Sequence, residues 1–526
     1  MIFSKDRNVY IFFFLIYLVS LTSNFSAAHD SIDYLIGFEQ VEDLLQPHHL
    51  LYHVTTFAIF KLSKIILPFV ANHYLIEVVN AFWGAGAILV VNLILRKRLL
   101  LNPTTAFLGT CLPAFSFGIW FYSANIEVYM PSLFFMLLLL YKLTSANFNS
   151  KTMTMVILLH ALAILFHQIN VIFTPVILWK IWQKRNEIPF VKSLLAYSLC
   201  GGGFVIALYL IVGWGVLGHH DPKDFNTWIR GYTMQTSYWF PLSVKTAGNA
   251  AVGFGHALIG AHFVFRVAFI EKYLNLKFYY HSLSDESFLV RNISHAQALF
   301  LLILSAILFS FLLISFIKTI RFAKKIYSGR TQVIAPLIFT FLIYTAFILF
   351  WMPENLEFWF LQLVIFWILI IAGITSTTTT GKMVNNLWIA SMALMLITIN
   401  YLGSIRLLQN LDNDYYFAKI KIAKEQANAK DLVILKDPWI VKSYLIRYSA
   451  APTIMIPERD SVMERSKVDN QINSTLGTGN RIFLYTDASF KHAVKNQPFI
   501  DSLLKANAGK VDTINSKIAN LKIIHQ

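Results

Sequence analysis

Cysteine and charge are both scarce in this chain. Two cysteines, Cys111 and Cys200, occur in 526 residues, and both sit inside apolar runs, which excludes a disulfide framework and any CxxC-type metal site. Charged residues make up 14% of the sequence against 56% hydrophobic, and the mean hydropathy is +0.57. A soluble globular domain or a disordered chain does not have that composition. A nucleotide fingerprint is missing as well, because Gly477-Thr478-Gly479 sits in a polar turn without the preceding strand that such a motif requires. No internal repeat stands out. What remains is a chain whose solvent is the lipid bilayer. Its net charge of +16, from 44 Lys and Arg against 28 Asp and Glu, then marks cytoplasmic loops rather than a nucleic-acid surface, and no nucleic-acid partner is expected.

Apolar runs long enough to cross roughly 30 Å of hydrocarbon at 1.5 Å per residue recur about eleven times. The sequence therefore predicts an all-α polytopic membrane protein. The first run, 9–22, follows Lys5 and Arg7 and has the look of a signal peptide. Everything downstream is also apolar, so it reads as the first span with a cytoplasmic N-terminus. Basic clusters fix the direction of the rest. Arg96-Lys97-Arg98, Lys142 with Lys151, Lys180 with Lys184 and Arg185, the run from Lys318 to Arg330, and Lys382 follow alternate spans and fall on one side. That alternation requires 50–70, which carries Lys61 and Lys64, to lie in the membrane interface instead of crossing.

The expected domains are a transmembrane part, 1–403, and a small α/β extracytoplasmic domain, 404–526. In the latter Leu432–Leu435, 453–456 and Ile482–Tyr485 read as buried strands and Trp439–Tyr448 as a helix. The outward-facing segments of the first part are a loop at 23–73, the turn at 125–127, a long loop at 218–295 and the turn at 353–357.

Ionisable groups near membrane depth are costly and therefore informative, and here they gather on the outward side. His29-Asp30-Ser31-Ile32-Asp33-Tyr34 follows the first span. Asp30 and Asp33 share a helical face. One reading makes Asp30 or Ser31 the cap of a helix running through 38–45, with Asp33 complementing its dipole. The other makes one carboxylate a general base toward an acceptor hydroxyl, with the second orienting it or holding a metal. His48 and His49 open the interfacial helix. With Asp30, either would suit zinc or manganese, though nothing in the spacing demands a metal; a divalent cation, Mg or Mn, or none is the cofactor expectation, and interfacial histidines more often serve structural or hydrogen-bonding roles. Glu127, after an aromatic run, and His167-Gln168 at the end of the fifth span lie at the same expected depth, suggesting a polar pocket that opens outward. Lys223 and Arg230 in the long loop are candidates to bind a lipid phosphate. Glu354 closes the ring in another acidic, aromatic turn.

Three of these stretches resemble membrane glycosyltransferases of the GT-C fold, in the branch related to bacterial protein O-mannosyltransferases. They are Asp30-Ser31-Ile32-Asp33 with Pro47-His48-His49-Leu50-Leu51-Tyr52, the segment from Trp120 to Tyr129, and His167-Gln168-Ile169-Asn170. Together with the topology they cover roughly the first 370 residues. The resemblance implies that Asp30 stands at the family's catalytic first-loop aspartate. Asp33 stands where that branch carries a glutamate after a glycine, and here Ile32 replaces the glycine. It further implies a polyprenyl-phosphate-linked sugar donor, a protein, lipid or glycan acceptor, and a place in the bacterial inner membrane. The competing expectation is a secondary transporter, for which Glu77 and His160 would be the intramembrane groups.

Overall fold

The computed structural model describes residues 6–277, 284–376, 381–436, 439–456, 462–486, 497–515 and 518–525. The chain divides into two compact units. The first comprises Met1–Thr22, Gly37–Phe263 and Ala296–Arg406, and the second Ser23–Ile36, Val264–His295 and Leu407–Gln526.

The first unit is a helical bundle. Among the described residues six helices are long and apolar enough to cross a bilayer: Asn72–Arg98, Phe190–Val216, His295–Arg321, Ala323–Ile348, Leu356–Ser376 and Lys382–Leu408. A seventh follows if Pro103–Ala114 and Phe117–Ser123, bent by 79°, form one span. The sequence pattern counts about eleven apolar runs. Those outside the long set form shorter helices, Asp6–Val19, Tyr129–Leu143, Ser150–Phe166 and Thr174–Gln183, so apolar length in sequence overstates continuous helix.

The bent pair has a local cause. Pro113 lies inside the first helix and disrupts its ladder, and side chains from elsewhere in the bundle take up the carbonyls freed at the break. The Tyr17 hydroxyl donates to the Ala114 carbonyl at 3.1 Å and Asn400 Nδ2 to that of Phe115 at 2.8 Å. Trp367 Nε1 donates to Ser116 Oγ at 2.9 Å. The bend between these two helices is thus a built feature rather than a frayed end.

Basic clusters meet at one end of this bundle. Arg96 and Lys97 lie 2.5 and 3.6 Å from Asp6 at the start of the first helix. Arg98 Nη2 donates to the Tyr141 carbonyl at 3.0 Å, and Lys180 stands over the Phe148 ring. At the other end, the Thr22 amide donates to Ala124 at 3.0 Å, and Asn80 Nδ2 donates to the carbonyls of Asn125 and Glu127 at 2.7 and 2.6 Å. The helix expected at 50–70 is Leu50–Ile66; it exposes Val54, Ile59, Leu62, Ile65 and Ile66.

In the second unit a five-stranded sheet has the order β2-β1-β3-β5-β4. Its strands are β1 Leu432–Leu435, β2 Thr453–Met455, β3 Ile482–Tyr485, β4 Val511–Asn515 and β5 Asn520–Ile524. β1 runs parallel to both β2 and β3, and β5 is antiparallel to β3 and β4. Central parallel strands are buried on both faces, hence the unbroken apolar runs. Leu432, Ile434, Ile482 and Leu484 pack with Val468 and Ile472 of the helix Val462–Gly477.

Candidate active site

The residues singled out from the sequence fall into two groups, one in each unit.

In the second unit, the helix Asp30–Gln40 begins on the acidic residue itself, so Asp30 and Asp33 both occupy its first turn, where unpaired amides favour negative charge. The helix ends at Gln40 instead of running on to Leu45. Val41 and Asp43 take φ of 63° and 52°, and the Glu42 amide turns back to the Gly37 carbonyl at 2.9 Å. Asp33 is half-buried and Asp30 more accessible. Desolvation nonetheless raises the Asp30 pKa above the usual carboxylate value, while the neighbouring His29 and a hydrogen bond from Tyr34 pull it back. The Tyr34 hydroxyl sits 3.5 Å from Asp30 Oδ2. A carboxylate with a raised pKa is a stronger base once deprotonated.

His29 completes this group and was not among the expected site residues. Its Nε2 lies 3.6 Å from Asp285 Oδ2, and its ring meets Tyr416 edge-on at 5.9 Å. Desolvation alone would lower its pKa, but Asp285, Asp30 and Glu286 together hold it above the ordinary imidazole value. Asp285 comes from the long loop 218–295, in which the sequence pattern singles out only Lys223 and Arg230. The signal that could have found it is Ser284-Asp285-Glu286, the acidic first turn of the helix Ser284–Leu289.

In the first unit, four histidines pack together. The His49 ring meets that of His167 at 4.6 Å and those of His48 and His53 at 6.2 Å. All four are buried. Tyr209 anchors the segment by donating to the Pro47 carbonyl at 2.6 Å. Gly231, at φ +44°, abuts His48 so closely that a Cβ there would lie 2.7 Å from Nε2, so only glycine fits that turn. Burial, then the neighbouring histidines, pushes His49 well below the ordinary value, and His167 is lowered to about 3 by the same causes. These imidazoles are neutral at physiological pH. Gln168 is half-buried and donates to the Ile229 carbonyl at 3.4 Å.

Beside them runs an aromatic seam. Tyr129 contacts both His167, at 5.1 Å, and Tyr122, at 5.6 Å. Tyr122 donates to Glu357 Oε2 at 2.9 Å and Asn355 Nδ2 to Oε1 at 2.8 Å. Tyr129, His167, Asn170, Tyr344, Glu357 and Phe360 line a cavity of about 40 Å³, room for one or two waters but not for a sugar. Glu127 is buried, its backbone held by Asn80 and its Oε2 accepting from the Val128 amide at 3.3 Å.

Three expected residues lie elsewhere. Lys223 and Arg230 are exposed on the short helix Pro222–Arg230, and that segment reaches His48 and Gln168 through main-chain atoms instead. Glu354 faces out, accepting from Asn249 at 3.3 Å. Glu357, one helical turn later, is the acid that turns inward.

No family model matches the sequence, and no curated protein matches it. Among solved structures the chain is similar to ArnT from Cupriavidus metallidurans bound to undecaprenyl phosphate, with a TM-score of 0.54 and 11% identity over 99% of this chain and 97% of that one. The apo state of the same protein gives a TM-score of 0.43, also at 11% identity, over 99% and 98%. The likeness to the lipid-bound form is one of fold, running the whole length of both chains, and it is the GT-C architecture that the resemblance implied.

Proposed function

We propose that this chain is an integral-membrane glycosyltransferase that moves a sugar, hexose or mannose-like, from a polyprenyl-phosphate donor to a hydroxyl of a protein, lipid or glycan. The observation that carries this reading is the end-to-end fold likeness to a protein solved with undecaprenyl phosphate. In this proposal about eleven apolar segments sit in a bacterial inner membrane, with the basic end of the bundle cytoplasmic and Asp30 outside.

The chemistry follows from the groups described. Asp30 takes the proton of the acceptor hydroxyl as its oxygen attacks the anomeric carbon. The bond from that carbon to the phosphate oxygen breaks, and the lipid phosphate leaves with the bonding pair. One displacement inverts the anomeric centre through an oxocarbenium-like transition state. Lys223 and Arg230 are the proposed counter-charges for the departing phosphate. His167 and Glu357 border a cavity that takes one or two waters, so the contact proposed for them with the substrate runs through water. Because the donor's tail stays in hydrocarbon, it need not leave the bilayer to react.

The transporter reading loses one of its two supports. His160 Nε2 meets the Asn170 carbonyl at 2.9 Å and Nδ1 meets the Tyr197 hydroxyl at 3.1 Å, which makes it a packed structural residue. Mass spectrometry of glycolipids and glycoproteins from cells lacking this chain tests the proposal. It predicts the disappearance of one hexose-type modification; an unaltered glycan profile argues against it.

A further inference from the structure

Resting on the reading of Asp30 as the base, we propose that Asp414 is a positioning residue through which the C-terminal domain clamps the backbone just ahead of Asp30. Asp414 is fully buried and takes hydrogen bonds from five donors. One of them belongs to an ordinary helix cap, the Phe417 amide to Oδ1 at 2.9 Å, at the start of the helix Tyr415–Gln426. Three come from the far end of the sequence. The Phe25 and Ser26 amides reach Oδ2 at 2.8 and 3.2 Å, and Ser26 Oγ reaches Oδ1 at 2.5 Å. The Tyr444 hydroxyl supplies the fifth.

A helix cap needs a single acceptor, and Ser, Thr or Asn supplies one without burying a full charge. A buried carboxylate is tolerated only when its lone pairs are filled, and here most of the filling groups belong to the first loop. Around this point the loop is tied repeatedly to the same domain. The Ser23 amide donates to the Leu408 carbonyl at 3.1 Å, and Ser26 Oγ accepts from the Tyr416 amide at 3.3 Å. The segment carrying Asp285 is tied there too. Arg291 Nη2 donates to the Asp412 carbonyl at 2.8 Å, and Phe288 packs edge-on against Tyr415 at 5.8 Å. Ser26 stands four residues before Asp30, so there is little slack between clamp and carboxylate. The domain's role in this inference is to hold the base and its His29–Asp285 neighbours in register.

Hydrogen–deuterium exchange on the full chain in nanodiscs, comparing Asp414→Asn, Ser26→Ala and Tyr444→Phe with the parent, tests the clamp directly. Uptake across residues 23–36 should rise in all three while β1 and β3 stay protected. In membranes from the producing cell, which contain donor and acceptor, the transfer rate should fall about ten- to a hundredfold, the range expected when a reacting group is displaced by about an ångström. The acid limb of the rate profile should move to lower pH, since a loosened Asp30 is better hydrated. Unchanged uptake at 23–36, equal loosening of β1 and β3, or raised uptake with an unaltered rate and pH limb each overturns the clamp. Retained transfer in Asp30→Asn removes the catalytic reading instead and leaves the exchange result standing, so the two failures are distinguishable.

Discussion

His29 Nε2 lies 3.6 Å from Asp285 Oδ2, pairing the residue next to the first-loop aspartate with an acid from the long loop. The pair favours the protonated imidazole beside Asp30, and this gives the pH dependence its sign. A base works deprotonated, so the rate falls as pH drops through the Asp30 pKa, which desolvation has raised. His29 and Tyr34 both lower that pKa. His29→Gln and Tyr34→Phe should therefore each move the acid limb to higher pH, measured as transfer rate against pH. A limb that stays put or moves down contradicts this electrostatic account.

The buried histidines predict an acid-sensitive bundle. Their folded pKa values are depressed below the unfolded value of about 6.5, His49 strongly and His167 to about 3. Stability from such groups is complete above the unfolded value and is lost as pH falls toward the folded one. Each contributes up to about 1.4 kcal/mol per pH unit in that window. The thermal midpoint should drop between pH 7 and pH 4, and His49→Gln should flatten the slope. A midpoint independent of pH over that range excludes the effect.

Gly84 marks the closest approach of the helix Asn72–Leu93 to Phe117–Ser123: a Cβ there would lie 2.1 Å from Ser123 Oγ. Gly84→Ala should destabilise the protein by about 1–3 kcal/mol, the usual cost of overpacking a core. Ser123→Gly in the same chain should recover most of it. Denaturation midpoints of the single and double variants provide the check, and additive losses would show that the contact is not the cause.

Of the two acids in the 353–357 turn, only Glu357 faces the aromatic cavity. Glu357→Gln weakens its hydrogen bonds to Tyr122 and Asn355 and should lower transfer by about tenfold, roughly the worth of one charge-assisted bond. Glu354→Gln should leave the rate within twofold. The reverse ranking would return the role to Glu354.

Periodicity made the membrane bundle, the parallel strands β1 to β3 and the first-loop acids legible, because each is written as a local apolar run or a local motif. β4 and β5 escaped because Asp512, Thr513, Asn520 and Lys522 break their apolar pattern as an edge hairpin does. The sequence points to Glu354 rather than Glu357 because spacing cannot say which side of a turn faces inward. Asp285 and Asp414 act through partners hundreds of residues away, and no local pattern encodes such pairing.

The central claim is that the carboxylate of Asp30 removes the acceptor's proton. Sugar transfer by Asp30→Asn, assayed in membranes holding native donor and acceptor with the variant present at parental abundance, tests it most directly. The account predicts a rate at least about a hundredfold lower, within the reach of general-base catalysis, with the fold intact by thermal melting. Transfer at the parental rate would contradict it.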